Sequence, residues 1–184
     1  MHKFSPDRAS GLESDDRRTL IPPNDTLSRF GLKEGMVLAD IGAGTGYFSR
    51  AGADIVGPHG RVYAAEMSER MVDFFRSSGI PPNVELLRSD EYDTHIPDGV
   101  ADLTLIAFVM HENSDKPRLL HEARRITKPG GKIAIVEWKK QQEELGPPME
   151  ERLGLEELTS VLRPSGILEQ GDLNSSHYYV LLRQ

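Results

Sequence analysis

Residues 37–46 read Val-Leu-Ala-Asp-Ile-Gly-Ala-Gly-Thr-Gly, and this stretch constrains the fold more than any other. Met36–Ile41 has the apolar character of a buried strand. It passes without a break into three glycines within five residues, and a helical pattern follows to about Val56. Glycines at such a junction let the backbone turn tightly and let a ligand approach the helix N-terminus. In a parallel sheet covered by helices, ligands lie beyond the carboxyl ends of the strands, where this loop falls. A bare strand-to-helix turn is the plainer reading. The density of glycine, with Asp40 two residues ahead of the first, argues against it.

The rest of the chain repeats strand and helix at short intervals. Strands are expected at Arg61–Glu66, Val84–Arg88, Asp102–Phe108 and Lys132–Trp138. Asp102–Phe108 lacks a period of two, as a strand buried on both faces does. Helices are expected from a cap at Ser68 to about Ser78 and over Asp115–Thr127, where Leu119, Leu120, Ala123 and Ile126 form one stripe. Pro129-Gly130-Gly131 closes the second of these. Two short helices, from a Ser14 cap to Leu20 and over Asn24–Phe30, precede the first strand. The pattern implies an α/β fold with a parallel sheet and helices on both faces. The connection from Ser89 to Ala101 leaves room only for a stunted helix. Near the C-terminus a helix at Leu155–Leu162 leads to Ile167–Leu173, a turn at Asn174-Ser175-Ser176, and His177–Arg183. Two strands joined by three turn residues make a hairpin, so the last strand is antiparallel to its neighbour.

Composition narrows the function. The chain has 184 residues, within the usual range for one domain. Residues 1–25 read as an N-terminal arm and 139–154 as a loop, both candidate lids. Lysine and arginine number 22 against 29 acids, a net charge of −7, which disfavours a nucleic-acid backbone as partner. No cysteine is present, which removes disulfides, thiolate metal sites and cysteine nucleophiles. A reducing, cytoplasmic setting is the expectation. No apolar stretch approaches the roughly 20 residues of a membrane span, and no metal is expected.

The acids around the loop discriminate between ligands. A dinucleotide fingerprint has a glycine at its sixth position, where Tyr47 stands here. Asp40 would repel a bound pyrophosphate and suits a cationic ligand such as an amino acid's ammonium group. S-adenosylmethionine carries that ammonium and a sulfonium, and no phosphate. Glu66, at the end of the second strand, is placed to accept both hydroxyls of a ribose; NAD-binding proteins use the same position. Asp90, after the third strand, is a candidate acceptor for an adenine amino group. Each acid also has a plainer reading as a solvated surface charge.

Together these residues resemble the class I S-adenosylmethionine-dependent methyltransferases. The likeness runs through Val37–Ser49, Val62–Met71, the Asp90 loop, Ala101–Glu112 and Leu119–Trp138. It is strongest to the small-molecule branch that includes the menaquinone and ubiquinone C-methyltransferases. The resemblance implies a Rossmann-like, doubly wound sheet of seven strands in the order 3-2-1-4-5-7-6, with strand 7 antiparallel. It implies a cofactor site of Asp40, Gly42, Ala43, Gly44 and Gly46 around the methionine part, Glu66 at the ribose, Met67, Asp90 and Glu91 at the adenine, and Ala107 and Phe108 beside the methionyl group.

Departures from the family's other branches limit the acceptor. The Asp/Asn-Pro-Pro-aromatic motif of amino-methylating nucleic-acid enzymes is replaced here by Ala107-Phe108-Val109-Met110-His111-Glu112. A small, partly apolar acceptor is therefore expected, walled by Met110, His111 and Trp138. Modification of protein or RNA, or adenosine-nucleotide binding without methylation, stands as the alternative. Methyl transfer from a sulfonium is an in-line displacement, so alignment of the partners matters most. A general base is needed only when the acceptor must lose a proton. His111 suits that task by its pKa range, though a histidine bonded to loop backbone would look the same in sequence.

Overall fold

The computed structural model describes residues 15–162 and 166–184. The proposed Ser14 cap and residues 1–14 of the arm lie outside this range. Two short helices, α1 (Asp15–Leu20) and α2 (Pro23–Arg29), precede the sheet. Then come β1 (Val37–Ile41), α3 (Tyr47–Val56), β2 (Arg61–Glu66), α4 (Glu69–Ser77), β3 (Val84–Arg88), β4 (Ala101–Ala107), α5 (Lys116–Ile126), β5 (Thr127–Trp138), α6 (Leu155–Leu162), β6 (Ile167–Asp172) and β7 (His177–Arg183). Among the described residues, no helix is long and apolar enough to cross a membrane.

The seven strands form one sheet in the order β3-β2-β1-β4-β5-β7-β6. The pairs from β3 through β5 are parallel, and β7 runs antiparallel to both β5 and β6. This is the topology that the resemblance implied. Successive side chains of a strand point to opposite faces, and both faces here are covered. Ala39, Ile41, Ile106, Ile133, Ile135 and Val180 share one buried cluster with Leu119, Ala123 and Ile126 of α5. Leu38, Leu103, Leu105, Ala134, Val136 and Leu181 share the other with Leu27 of α2 and Phe48 and Ala51 of α3.

Two local expectations are corrected. β5 begins at Thr127, before the Pro-Gly-Gly, because Thr127 pairs with Ala101 and its hydroxyl lies 2.6 Å from that of Thr104. A register shift between Ala101 and Leu103 absorbs the irregular residues. Ser68 sits at the start of α4, but its side chain caps nothing; its backbone N–H donates instead to Glu66 Oε1 at 2.7 Å. The connection after β3 holds no helix. It is pinned by buried Glu122 of α5, which accepts from both the N–H and the hydroxyl of Thr94. Asp115 does cap α5, accepting from the N–H of Arg118 at 3.1 Å.

Candidate cofactor and acceptor site

The parallel strands β1, β2 and β4 end side by side, with Asp40 and Glu66 at or next to the carboxyl ends of β1 and β2. Gly42, Gly44 and Gly46 all have positive φ, a region that L side chains rarely adopt. Two of them are also sterically required. A Cβ on Gly42 would stand 2.4 Å from Val109, and one on Gly46 would stand 2.5 Å from the Phe75 ring. Gly44 differs: a side chain there would meet nothing within 4 Å. The loop is thus packed from below and behind and open above its middle residue.

Its hydrogen bonds engage four N–H groups that a phosphate cradle would offer. The N–H groups of Gly42 and Ala43 donate to the Ala65 carbonyl, at 2.8 and 3.0 Å, and that of Gly46 donates to Ala43. The Gly44 N–H donates to Glu66 Oε2 at 2.8 Å. A nucleotide-phosphate loop presents such groups to its ligand; here they are taken, one of them by a carboxylate. Glu66 is buried at the end of β2 and spends one lone pair of each oxygen on backbone, through Gly44 and Ser68. A carboxylate offers about four acceptor positions, so both oxygens retain capacity for further donors, as two ribose hydroxyls would be.

The other expected cofactor residues are distributed around this pair. Asp40 is buried beneath the loop, where its Oδ2 accepts from the Ser49 hydroxyl at 2.6 Å. Ala43 is buried in the loop. Met67 follows Glu66 with more than a third of its surface exposed, unusual for methionine in a globular chain. Asp90 and Glu91 lie exposed after β3, with Asp90 Oδ2 3.4 Å from His95 Nε2.

The end of β4 lies against the loop, since Val109 occupies the space that Gly42 leaves. Ala107 is buried, and Phe108 holds φ of +62°. Such strain costs on the order of 1–3 kcal/mol and concentrates at functional sites. The Phe108 ring lies 5.8 Å from that of Trp138 and 5.2 Å from that of His177. Met110 is a correction to the expected acceptor wall. It is fully buried in the α5-side cluster, so it supports the floor and offers no surface. His111 bonds to more than backbone. Its Nδ1 lies 2.8 Å from Oε2 of Glu137, and its own N–H donates to Oε1 of the same carboxylate at 3.1 Å. Glu137 has no exposed surface. Burial alone would depress the imidazole pKa. The hydrogen bond and charge of Glu137, with the charges of Glu112 and Glu151, outweigh it and raise the pKa above its ordinary value.

Glu137 and Arg152 were missed in the sequence. Glu137 stands one residue from the recognised Trp138, within an apolar run, and an acid at a buried strand end was the available signal. Arg152 left none. Its side chain is buried in the loop after β5 and lies 5.0 Å above the Trp138 ring. It donates to the carbonyls of Lys139, Leu145 and Pro147 and to Glu143 Oε2 at 2.6 Å. Segment 139–154 is thereby wound around one guanidinium and pressed on Trp138.

Glu143 in this knot also accepts from Ser176 and Gln141. Burial raises its pKa, but these hydrogen bonds and the Arg152 charge dominate and hold it at about 2. A depressed carboxylate stabilises when ionised. The contribution of Glu143 is therefore expected to be complete above the ordinary carboxylate pKa of about 4.3 and lost as pH falls toward 2. Trp138, the single tryptophan, reports it. A Trp138 emission titration should separate wild type from Glu143→Gln at pH 6, with the two curves converging near pH 2. Parallel curves throughout would mean that Glu143 does not grip the loop.

A seven-stranded sheet of this order, with a glycine loop and two buried acids at one edge, defines an adenosyl-cofactor fold. Residues 39–135 match the family described as methyltransferase domain. The crystal structure of a SAM-dependent methyltransferase from Aquifex aeolicus superposes with a TM-score of 0.91 at 34% identity, covering 98% of this chain and 99% of that one. The ubiquinone/menaquinone biosynthesis C-methyltransferase of Saccharophagus degradans is 33% identical over 124 residues, 65% of this chain and 50% of that protein. Its counterpart from Hahella chejuensis is 29% identical over 119 residues, 62% of this chain and 48% of that protein. The chain spans about half the length of these curated relatives. It belongs to the S-adenosylmethionine-dependent methyltransferase family.

Proposed function

We propose that this chain transfers a methyl group from S-adenosylmethionine to a small, partly apolar acceptor. The observation that carries the reading is the Gly44–Glu66 arrangement. The N–H groups of Gly42, Ala43, Gly44 and Gly46 are engaged internally while Glu66 keeps free acceptor positions beside an open glycine. That chemistry suits a ribose diol and disfavours a pyrophosphate. When bound, the cofactor supplies an electrophilic methyl on a sulfonium. Among the chain's own residues, Asp40 beneath the loop would favour the cationic methionyl end, Met67 would pack against the adenine, Asp90 and Glu91 would take its polar edge, and Ala107 and Phe108 would flank the methionyl group. Phe108, Trp138 and His177 form an aromatic wall, and segment 139–154 covers Trp138 as a lid held by Arg152. Apolar aromatic walls favour a small organic acceptor. The net charge of −7 and the absence of cysteine support a partner other than nucleic acid and a cytoplasmic setting. Relatives named as C-methyltransferases of quinone biosynthesis lend support to the acceptor class.

Isothermal titration with S-adenosylmethionine, S-adenosylhomocysteine and NAD tests the reading. Both adenosyl ligands should bind, and NAD at least about tenfold more weakly, a difference of about 1.4 kcal/mol. NAD binding as tight as S-adenosylmethionine would sink the proposal.

A further inference from the structure

One pair of side chains beside the site bears on the chemistry of the acceptor. His111 and Glu137 are 26 residues apart and meet because β4 and β5 are adjacent and parallel, with Ala107 opposite Val136. Glu137 holds His111 at two points, the ring Nδ1 and the backbone N–H. An ionised carboxylate only accepts, so the neutral ring carries its proton on Nδ1. The lone pair is then on Nε2. Glu112 Oε1 stands 3.8 Å from Nε2, beyond hydrogen-bond distance. A fully buried carboxylate fixing one nitrogen of an imidazole whose other nitrogen is basic is the arrangement of an oriented general base. Nothing in cofactor binding requires it.

We propose that His111 is the general base of the methyl transfer, positioned by Glu137, and that the acceptor is therefore a protic nucleophile such as an acidic hydroxyl, thiol or enol. This rests on the methyltransferase reading and deepens it. The acceptor gives its proton to Nε2. Its freed electron pair forms the bond to the methyl carbon, and the pair of the broken carbon–sulfur bond stays on sulfur, which becomes neutral. The resulting imidazolium is held by Glu137 and returns its proton to water. A tertiary amine or a thioether has no proton to give and makes no use of the pair. The base works when His111 is neutral, so turnover rises with pH through the imidazole pKa. The charged and titratable groups that set that pKa are Glu137 on β5, Glu112 in the same loop and Glu151 in the turn before α6. Tyr178 of β7 lies near Glu137 and donates its hydroxyl to the Leu153 carbonyl.

Two measurements decide it. In the ligand-free protein, nitrogen-15 spectra of the histidines should show His111 protonated on Nδ1 and titrating above its ordinary value. In Glu137→Gln, which keeps the shape of the side chain, the titration should move down. The second uses radiolabelled S-adenosylmethionine with a panel of small phenols, thiophenols and enols, matched against N,N-dimethylaniline and thioanisole as protonless acceptors. Methylation should be confined to the protic members. For the best of them, His111→Gln should lower kcat by about 10²–10⁴-fold and abolish the rising limb of the pH profile. Glu137→Gln should shift that limb to lower pH and lower the plateau roughly tenfold or more. The dissociation constant of S-adenosylhomocysteine should be unchanged in both variants. An Nε2-protonated ring, a titration indifferent to Glu137→Gln, or methylation of protonless acceptors overturns the proposal. So does the absence of any protic product while calorimetry still shows S-adenosylmethionine bound, and each of these leaves the cofactor reading standing. Failure of S-adenosylmethionine to bind overturns that reading instead.

Discussion

Replacement of Glu66 by alanine is expected to weaken S-adenosylmethionine binding by well over tenfold and to lower stability as well. Hydrogen bonds to a charged group contribute about 1.5–3 kcal/mol each, so the loss of two ribose contacts alone accounts for a tenfold effect. The structure adds a second cost. Glu66 accepts from the N–H of Gly44 and of Ser68, and alanine leaves both donors, each partly buried, without their partner. An unmet buried donor costs about 1–3 kcal/mol, and the partial exposure of these two puts the cost toward the lower end. Glutamine is the informative companion. Its amide oxygen replaces one acceptor, but its NH₂ faces either the Gly44 or the Ser68 N–H, donor against donor. Glu66→Gln should therefore lie nearer to alanine than to wild type. Titration calorimetry and a thermal melt measure the two effects. An unaltered dissociation constant in Glu66→Ala would remove the ribose from this end of β2.

Arg152→Ala is expected to be the most damaging change in the described loops. Removing one partner of a buried ion pair costs about 3–5 kcal/mol. Glu143 keeps a fifth of its side-chain surface exposed, so water screens part of the loss and the lower end applies. Three carbonyls, those of Lys139, Leu145 and Pro147, lose their donor at the same time. At about 2–4 °C per kcal/mol for a chain of this size, the melting temperature should fall by roughly 6–12 °C. Trp138 emission should move to longer wavelength as segment 139–154 lets go of the ring. Arg152→Lys keeps the charge and loses the fork that reaches several carbonyls at once, so it should fall between. A melt within 1 °C of wild type would show that the loop is held by something other than this guanidinium.

The contrast between these two positions marks the reach of sequence reading. Glu66 was legible because everything that gives it meaning is local. An apolar run ends there, a helix begins three residues on, and the glycine loop lies one strand back. Gly42, Gly44 and Gly46 were legible for the same reason, since positive φ at all three, and tight packing at Gly42 and Gly46, leave glycine as the tolerated residue. The C-terminal hairpin was legible because three turn residues between two β-like runs permit little else.

Met110, Glu137 and Arg152 were decided elsewhere. Met110 sits in a stretch that also holds exposed residues, and only the packing of α5 against β4 and β5 turns it into the core. Glu137 stands out as an acid within an apolar run, but the run does not say what it pairs with. Its burial is tolerable because His111 arrives from the end of the adjacent strand, and strand adjacency is a property of the sheet order rather than of either segment. Arg152 gathers carbonyls from 5 to 13 residues away, through a loop with no period to read. The strands, the glycine loop and its two acids were therefore determined by the sequence itself, because periodicity and backbone preference act between near neighbours. The pairing of His111 with Glu137 and the clamp over Trp138 were decided by the tertiary structure. A buried charge is stable only beside its partner, and that partner is brought by the fold.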